Sequence, residues 1–248
     1  MIRAVIFDLD GTLVQTEVLK ALSYARAAIE LRPNGITEAD VARAYEDLVG
    51  LERREAAIML LERFDLADAA AARMADLGVG TPWEAFLALR LQRYEAMLAD
   101  HALLVAQQCP EAIALLRRVR REGYRTAVAT MSHVAHADTV LDALTLRPDL
   151  DVIVTRDEVE RPKPDPEIYA LAATRLGVGP RDCLVIEDSA VGVRAALAAG
   201  MVCIAVTNEL TRRGVRESGL LDERRIVDDP RLLEDAVARH LVDGRVLT

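Results

Sequence analysis

Short apolar runs rich in β-formers alternate with stretches of helical periodicity along most of this chain. The apolar runs are typical of buried parallel strands, and they lie at 4–7, 125–130, 152–155, 183–186, 202–206 and 226–227. Apolar residues at helical spacing separate them, over 111–121, 131–144, 165–176, 191–199 and 230–241. Strands that alternate with helices predict an α/β fold with a doubly wound parallel sheet, that is, a Rossmann-like core.

One long segment departs from this alternation. Between the first strand and about residue 100 the pattern is helical, with almost no strand signal. The predicted helices of this segment cover 17–31, 37–49, 53–64, 68–77 and 82–98, with Thr37 and Thr81 as N-caps and Gly50 as a stop signal. We therefore predict a discontinuous core of residues 1–15 and 104–248, and an inserted α-helical domain at 16–103.

Composition narrows the classes of function. The 248 residues are 52% hydrophobic, but no apolar run is long enough for a membrane helix, so we expect no membrane partner. A net charge of −9 argues against nucleic acid as a partner. Of the three cysteines, Cys183 and Cys203 lie in apolar strands and are predicted to be buried free thiols, which fits a reducing, cytoplasmic location. The sequence does not indicate an oligomeric state.

The clearest chemical signal follows the first strand. Asp8 and Asp10 lie two residues apart at its carboxyl end, where α/β sheets place their ligands, and Gly11 allows a sharp turn behind them. Two carboxylates this close repel each other unless a cation lies nearby, so the pair predicts a hard divalent ion such as Mg²⁺. The alternative is a helix-capping aspartate beside an incidental second one.

Polar residues also follow three other core strands. Thr130 follows the second strand with Ser132 two residues on, Lys163 lies between two prolines after the third, and the pair Glu187-Asp188 follows the fourth. Each has an ordinary alternative role. Thr130 could be a helix cap, Lys163 a solvated charge in a loop, and Glu187-Asp188 a polar end of a strand. Together, at one edge of the sheet, they supply a nucleophilic carboxylate, a hydroxyl, an ammonium and further carboxylates. This set predicts phosphoryl transfer through an aspartyl-phosphate.

These motifs resemble those of a known family. The segments DLDGT at 8–12, the Thr130 strand end, Lys163 and EDS at 187–189 are similar to the four signature motifs of the haloacid dehalogenase superfamily. The helical insertion resembles its α-helical cap. KPDPEIY at 163–169 and IEDSAVGVRAALAAG at 186–200 resemble the subgroup of phosphatases and mutases related to β-phosphoglucomutase and phosphoglycolate phosphatase.

The resemblance implies a role for each matching residue. Asp8 would be the nucleophile and Asp10 the general acid and base. Thr130 and Lys163 would hold the phosphoryl oxygens. A magnesium ion would be held by Asp8, the backbone carbonyl of Asp10, and Asp188, with Glu187 supporting the site.

The resemblance also implies substrate-binding residues in the cap. These are Thr16, Arg53 and Arg90; Arg53 matches an arginine in a G-x-x-R context and Arg90 a basic residue one turn before Tyr94. The alternative for each arginine is a solvent-facing position on a helix. An arginine at 53 cannot form the Schiff base of the phosphonoacetaldehyde hydrolases, which argues against that activity.

The predicted function is therefore a Mg²⁺-dependent phosphatase acting on a small phosphorylated metabolite, such as a sugar phosphate. A phosphomutase of the β-phosphoglucomutase type is the first alternative, although the mutases carry histidine where this chain has Lys20. A non-catalytic protein that uses the same fold to bind a metabolite or a partner is the second.

Overall fold

A computed structural model describes residues 1–48 and 51–241, and its contacts divide the chain into two compact units. One unit combines Met1–Gln15 with the chain from Leu104 onward, and the other is Thr16–Leu103. The predicted end of the second helix at Val49 and its stop signal at Gly50 lie outside the described residues.

The unit Thr16–Leu103 is helical. Its helices are α1 (Thr16–Leu31), α2 (Glu38–Glu46), α3 (Arg53–Arg63), α4 (Ala67–Ala72), α5 (Met74–Leu77) and α6 (Pro82–Leu98), with α7 (His101–Ala106) beginning at its end. Their apolar faces pack around Tyr24, Leu60 and Phe86. Both predicted N-caps are confirmed, since the Thr37 and Thr81 hydroxyls accept backbone hydrogen bonds at the starts of α2 and α6.

The structure differs from the predicted helices of this segment in two places. The single helix predicted over 68–77 is two helices, because the amide of Arg73 bonds to the Ala70 carbonyl three residues back and the α-helical ladder is interrupted there. The second difference is α7, which the sequence analysis missed. Asp100 precedes it and accepts a hydrogen bond from the Leu103 amide, so the signal was a cap ahead of a short apolar stretch.

The described residues of the other unit form a sheet of six parallel strands, as predicted from the alternating pattern. In chain order they are β1 (Ala4–Phe7), β2 (Arg125–Ala129), β3 (Val152–Val154), β4 (Cys183–Glu187), β5 (Val202–Val206) and β6 (Ile226–Val227). Their order across the sheet is β3-β2-β1-β4-β5-β6, and every neighbouring pair is parallel. β1 therefore lies between β2 and β4, with Phe7 beside Val128 and Ile186.

Helices cover this sheet, which explains why β1 and β4 are buried along their whole length. They are α8 (Pro110–Arg121), α9 (Val134–Ala143), α10 (Glu167–Leu176), α11 (Ala190–Ala198), α12 (Arg212–Glu217) and α13 (Leu233–Leu241). α8 packs against α13, and α10 against α11. The predicted doubly wound α/β fold is confirmed. Cys183 and Cys203 are buried free thiols, also as predicted.

The described helices contain no segment that is both long enough and apolar enough to span a bilayer.

Candidate active site

The predicted core residues meet at the carboxyl edge of the sheet. Asp8 follows β1 directly and its amide bonds to the Ile186 carbonyl, so the ladder between β1 and β4 continues to this residue. Thr130 follows β2, and its amide bonds to the Val154 carbonyl of β3. Asp188 follows β4. The parallel register thus carries the polar residues at the strand ends into one region.

Lys163 is the centre of this region rather than a solvated loop charge. Its side chain is only 5% exposed, and its ammonium lies 2.7 Å from Asp8 Oδ1, 2.7 Å from Glu187 Oε1 and 3.2 Å from the Ala129 carbonyl oxygen. These three acceptors use all three N–H donors of the ammonium. The ring of Tyr169 lies 4.7 Å from the same nitrogen. The lysine is therefore fixed between the two carboxylates.

The two carboxylates that share Lys163 differ in their acidity. Burial raises the pKa of Asp8 to about 8; Lys163 opposes the rise, while the charges of Glu187 and Asp10 add to it. Burial would also raise the pKa of Glu187, but the Lys163 ammonium and hydrogen bonds to the carboxylate keep that pKa below its ordinary value. One ammonium thus faces more than one buried carboxylate, and a further positive charge would stabilise ionised Asp8.

Glu187 is held by donors from the protein on both of its oxygens. Oε1 accepts from Lys163 and from the Tyr169 hydroxyl at 2.9 Å. Oε2 accepts from the amides of Asp188 and Ser189 and from the Ser189 hydroxyl. This carboxylate is therefore occupied in positioning Lys163 and the turn after β4.

Asp188 and Gly11 meet at the turn behind the first motif. A Cβ built on Gly11 would lie 2.1 Å from Asp188 Oδ2, and Gly11 has a φ of +89°, so only glycine fits there. The Asn208 amide group donates to the same Oδ2 at 3.2 Å. The turn thus brings the carboxylate of Asp188 against the backbone that follows Asp8 and Asp10.

Two hydroxyl groups contact the Asp10 carboxylate. Its Oδ2 accepts from Thr130 Oγ1 at 3.1 Å and from Ser132 Oγ at 2.6 Å. In this structure the Thr130 proton is thus directed at Asp10. Asp10 is near enough to raise the pKa of Asp8, so the two aspartates of the first motif occupy one site.

Sequence analysis missed three members of this site. Ser132 lies three residues past the end of β2, so its position beyond a strand end is the signal that could have identified it. Asn208 is two residues past β5, and the same rule could have found it. Tyr169 gave no polar signal, because it occupies an apolar position of α10 and is fully buried.

The cap residues lie in the helical unit. Thr16 is buried at the start of α1, and Arg53 is the exposed first residue of α3. Arg90 is not solvent-facing: it is 4% exposed, and its guanidinium carbon lies 5.0 Å from the ring centre of Tyr24 and 4.6 Å from that of Tyr94. Within the described part of the chain its buried Nε has no hydrogen-bond partner.

Tyr24 also links the two arginines electrostatically. Burial raises the pKa of its phenol, and the charges of Arg90 and Arg53 oppose that rise. Both cations therefore act on the same ring, so the unit carries a local positive region within an acidic protein. Lys20 lies near this ring too, with its ammonium 2.6 Å from Glu17 Oε1.

The described residues contain no group of three or more histidine, cysteine, aspartate or glutamate side chains arranged to hold a metal ion. Magnesium is usually bound in proteins by one or two carboxylates and completes its coordination with water and substrate oxygens. Asp8 and Asp188 offer carboxylate oxygens at the strand ends, and Asp10 offers a backbone carbonyl. All three donors are hard oxygen ligands.

The chain is similar to known hydrolases and phosphatases. Protein CbbY of Cereibacter sphaeroides is 30% identical over 215 residues, which cover 86% of this chain and 87% of the relative. The phosphorylated carbohydrates phosphatase of Thermotoga maritima is 32% identical, over 80% and 82% of the two chains. The crystal structure of CbbY from Rhodobacter sphaeroides in complex with phosphate matches with a TM-score of 0.66 and 26% identity, over 94% and 96% of the chains.

A family profile of haloacid dehalogenase-like hydrolases matches residues 2–200, which include the four motifs at the carboxyl edge of the sheet. The profile spans most of the chain, and the relatives match both units. The resemblance predicted from the motifs is confirmed, and the chain belongs to the haloacid dehalogenase-like hydrolase family.

Proposed function

We propose that this protein is a Mg²⁺-dependent phosphatase that hydrolyses small phosphate monoesters, such as sugar or polyol phosphates, through an aspartyl-phosphate. The observation that carries the proposal is the buried pair of Asp8 and Lys163, with Asp10 two residues away in the same site. Relatives named as a phosphorylated carbohydrates phosphatase and as hexitol phosphatase A support the substrate class.

In the proposed mechanism, a carboxylate oxygen of Asp8 attacks phosphorus while Asp10 protonates the leaving alcohol. In the second half, Asp10 takes a proton from the water that attacks the phospho-aspartate, and Asp8 is released. Lys163 offsets negative charge at the nucleophile before the reaction and at the phosphoryl oxygens during it. To contact a phosphoryl oxygen, Lys163 would give up one of its three present acceptors. In the same way, Thr130 would give up its hydrogen bond to Asp10 and donate to a phosphoryl oxygen.

Magnesium is part of the proposal. When bound, the ion supplies positive charge that reduces the repulsion between an anionic nucleophile and an anionic phosphate. The carboxylates of Asp8 and Asp188 and the backbone carbonyl of Asp10 would hold it. Glu187 would support the site through Lys163, because both of its oxygens already accept hydrogen bonds from the protein.

The cap residues are proposed to recognise the part of the substrate that is not the reacting phosphate. Arg90 supports this role, because a buried guanidinium with an unsatisfied Nε favours an anionic or polar group as a partner. Arg53 and Thr16 are proposed with it. Lys20 supports hydrolysis over isomerisation, because an ammonium engaged by Glu17 replaces the histidine of the mutases.

The experiment is a panel of sugar and polyol phosphates assayed for phosphate release by the wild type, Asp8→Asn and the control Asp235→Asn, with and without EDTA. Asp235 is an exposed residue of α13. We expect metal-dependent release by the wild type and the control, and none by Asp8→Asn. Isomer accumulation that requires an added sugar bisphosphate would indicate the mutase instead.

Absence of phosphate release from every ester, in the presence of Mg²⁺, would refute the proposed function. Asp8→Asn is a suitable probe because the substitution should keep the fold. Burial raises the pKa of Asp8 to about 8, so the protein gains little stability from its ionised form. An unfolding midpoint close to that of the wild type would verify that the variant is folded.

A further inference from the structure

The loop between β2 and α9 directs two hydroxyl groups at one oxygen atom. Ser132 Oγ lies 2.6 Å and Thr130 Oγ1 lies 3.1 Å from Oδ2 of Asp10. The amide of Ser132 donates to Thr130 Oγ1 at 3.0 Å. Thr130 is fully buried, and the other two residues are half-buried. The three residues thus form a short hydrogen-bonded chain, which we name the hydroxyl clamp.

The clamp has a defined direction. A hydroxyl group carries one proton, and both hydroxyl protons go to Asp10 Oδ2, because a carboxylate can only accept. The Ser132 amide occupies an acceptor site of Thr130, which leaves the threonine proton directed at the aspartate. Hydrogen bonds to a charged acceptor are among the stronger ones, so the clamp restrains the rotation of a short side chain that would otherwise sample several rotamers.

We propose that Ser132 is a positioning residue, which holds the Asp10 carboxyl group in the orientation from which it transfers a proton. The inference rests on the proposed function, in which Asp10 is the general acid and base. It adds which neighbour holds that carboxyl group in place.

The proton and electron balance of the first step follows from this assignment. The O–H bond of the protonated Asp10 carboxyl group breaks and its proton passes to the ester oxygen. The bond between that oxygen and phosphorus breaks, with the electron pair staying on oxygen, while a bond forms between phosphorus and an Asp8 oxygen. In the second step a water oxygen forms a bond to phosphorus and the water returns a proton to the Asp10 carboxylate. The bond from phosphorus to Asp8 breaks, and its electron pair stays on the Asp8 oxygen.

The proposal makes the contribution of Ser132 depend on the leaving group. A p-nitrophenolate leaves as a stable anion and gains little from a proton, whereas a phenolate with an electron-donating substituent needs one. Loss of the clamp should therefore slow the second kind of ester much more than the first. A serine that only bound the phosphoryl group would affect all esters alike, since that group is common to them.

The test uses a series of substituted phenyl phosphates, from p-nitrophenyl to p-methoxyphenyl phosphate, with kcat and KM measured for the wild type, Ser132→Ala and Ser132→Thr. Ser218→Ala is the matched control, because the Ser218 hydroxyl bonds to a backbone carbonyl at the end of α12. We expect Ser132→Ala to lose about tenfold or more in kcat/KM on the poorest leaving group. The loss on p-nitrophenyl phosphate should be less than about threefold, with Ser132→Thr close to the wild type.

Three other results would overturn the proposal in distinguishable ways. An equal loss on every ester, or a rise in KM alone, would assign Ser132 to the phosphoryl group and not to Asp10. Rates for Ser132→Ala equal to those of the control would show that the clamp has no role. Absence of turnover by the wild type of every phenyl phosphate and of every sugar or polyol phosphate would remove the proposed function itself, and the positioning role with it.

Discussion

The glycine at position 192 gives a sharp test of the buried carboxylate network. A Cβ added to Gly192 would lie 1.6 Å from Glu187 Oε1, 1.9 Å from its carboxyl carbon and 2.4 Å from Oε2. The whole carboxylate therefore occupies the space that an alanine side chain would need. Gly192→Ala must displace a group that accepts hydrogen bonds from Lys163, Tyr169, Ser189 and the Asp188 amide.

The size of the effect follows from two opposing contributions. Alanine in a helix is favoured over glycine by up to about 1 kcal/mol. Separating one partner of a buried ion pair costs about 3–5 kcal/mol, because the remaining charge is left uncompensated. Displacement of Glu187 from Lys163 is such a separation, since both side chains are 5% exposed or less. We therefore expect Gly192→Ala to destabilise the protein by about 2–4 kcal/mol.

Urea unfolding followed by circular dichroism measures this loss. At about 3 kcal/mol per M, the midpoint should fall by roughly 1 M with little change in slope. Gly214→Ala is the control, because Gly214 is also the third residue of its helix and a Cβ there would meet no atom within 4 Å. That variant should be as stable as the wild type or slightly more stable.

A second experiment isolates the cause. In a Glu187→Ala background the clash is absent, so adding Gly192→Ala should cost nothing further, and the difference between the two backgrounds gives the coupling energy. A Gly192→Ala protein with the same midpoint as the wild type would refute the reasoning. It would mean that Glu187 moves without loss and that the network around Lys163 is not rigid.

Three further predictions follow from the same structure. Tyr169→Phe should cost about 1 kcal/mol in urea unfolding, because Glu187 loses one of its hydrogen bonds but keeps Lys163; a cost above 3 kcal/mol would contradict this. Asp151→Asn should be destabilising at neutral pH, because the Thr126 amide and an arginine outweigh burial and lower the pKa of Asp151. Because the pKa of Asp151 is lower in the folded protein, its ionised carboxylate stabilises the fold above the unfolded-state pKa of about 4, and this stabilisation is lost as the pH falls through the folded-state pKa. The stabilities of the wild type and the variant should therefore converge in acid. A stability difference that does not change with pH would refute this prediction. Arg90→Met, which fills much of the same volume without charge, should leave thermal stability unchanged or higher while raising KM for the best ester found; a large fall in melting temperature would show that the arginine is structural.

The sequence alone determined the fold class and the edge of the sheet that carries the chemistry. Buried strands are recognised in the sequence as short apolar runs, and helices as apolar residues repeated about every 3.6 positions. Both signals depend only on residues that are close together in the chain. Asp8, Thr130 and Asp188 could be grouped because the carboxyl ends of parallel strands meet at one edge, which is a consequence of topology. The N-caps at Thr37 and Thr81 were equally local, and they were confirmed.

Only the tertiary structure decided what each of these side chains contacts. The break between α4 and α5 depends on the hydrogen bond from the Arg73 amide to the Ala70 carbonyl, which the spacing of apolar residues does not reveal. Tyr169 resembles any core residue in sequence, and its role in holding Glu187 depends on a partner 18 positions away. Burial of Lys163 and Arg90 was likewise invisible, because both residue types are usually exposed and their environment comes from segments distant in the chain. Hydrogen bonds and pKa shifts depend on distances between such segments, and the linear pattern contains no distances.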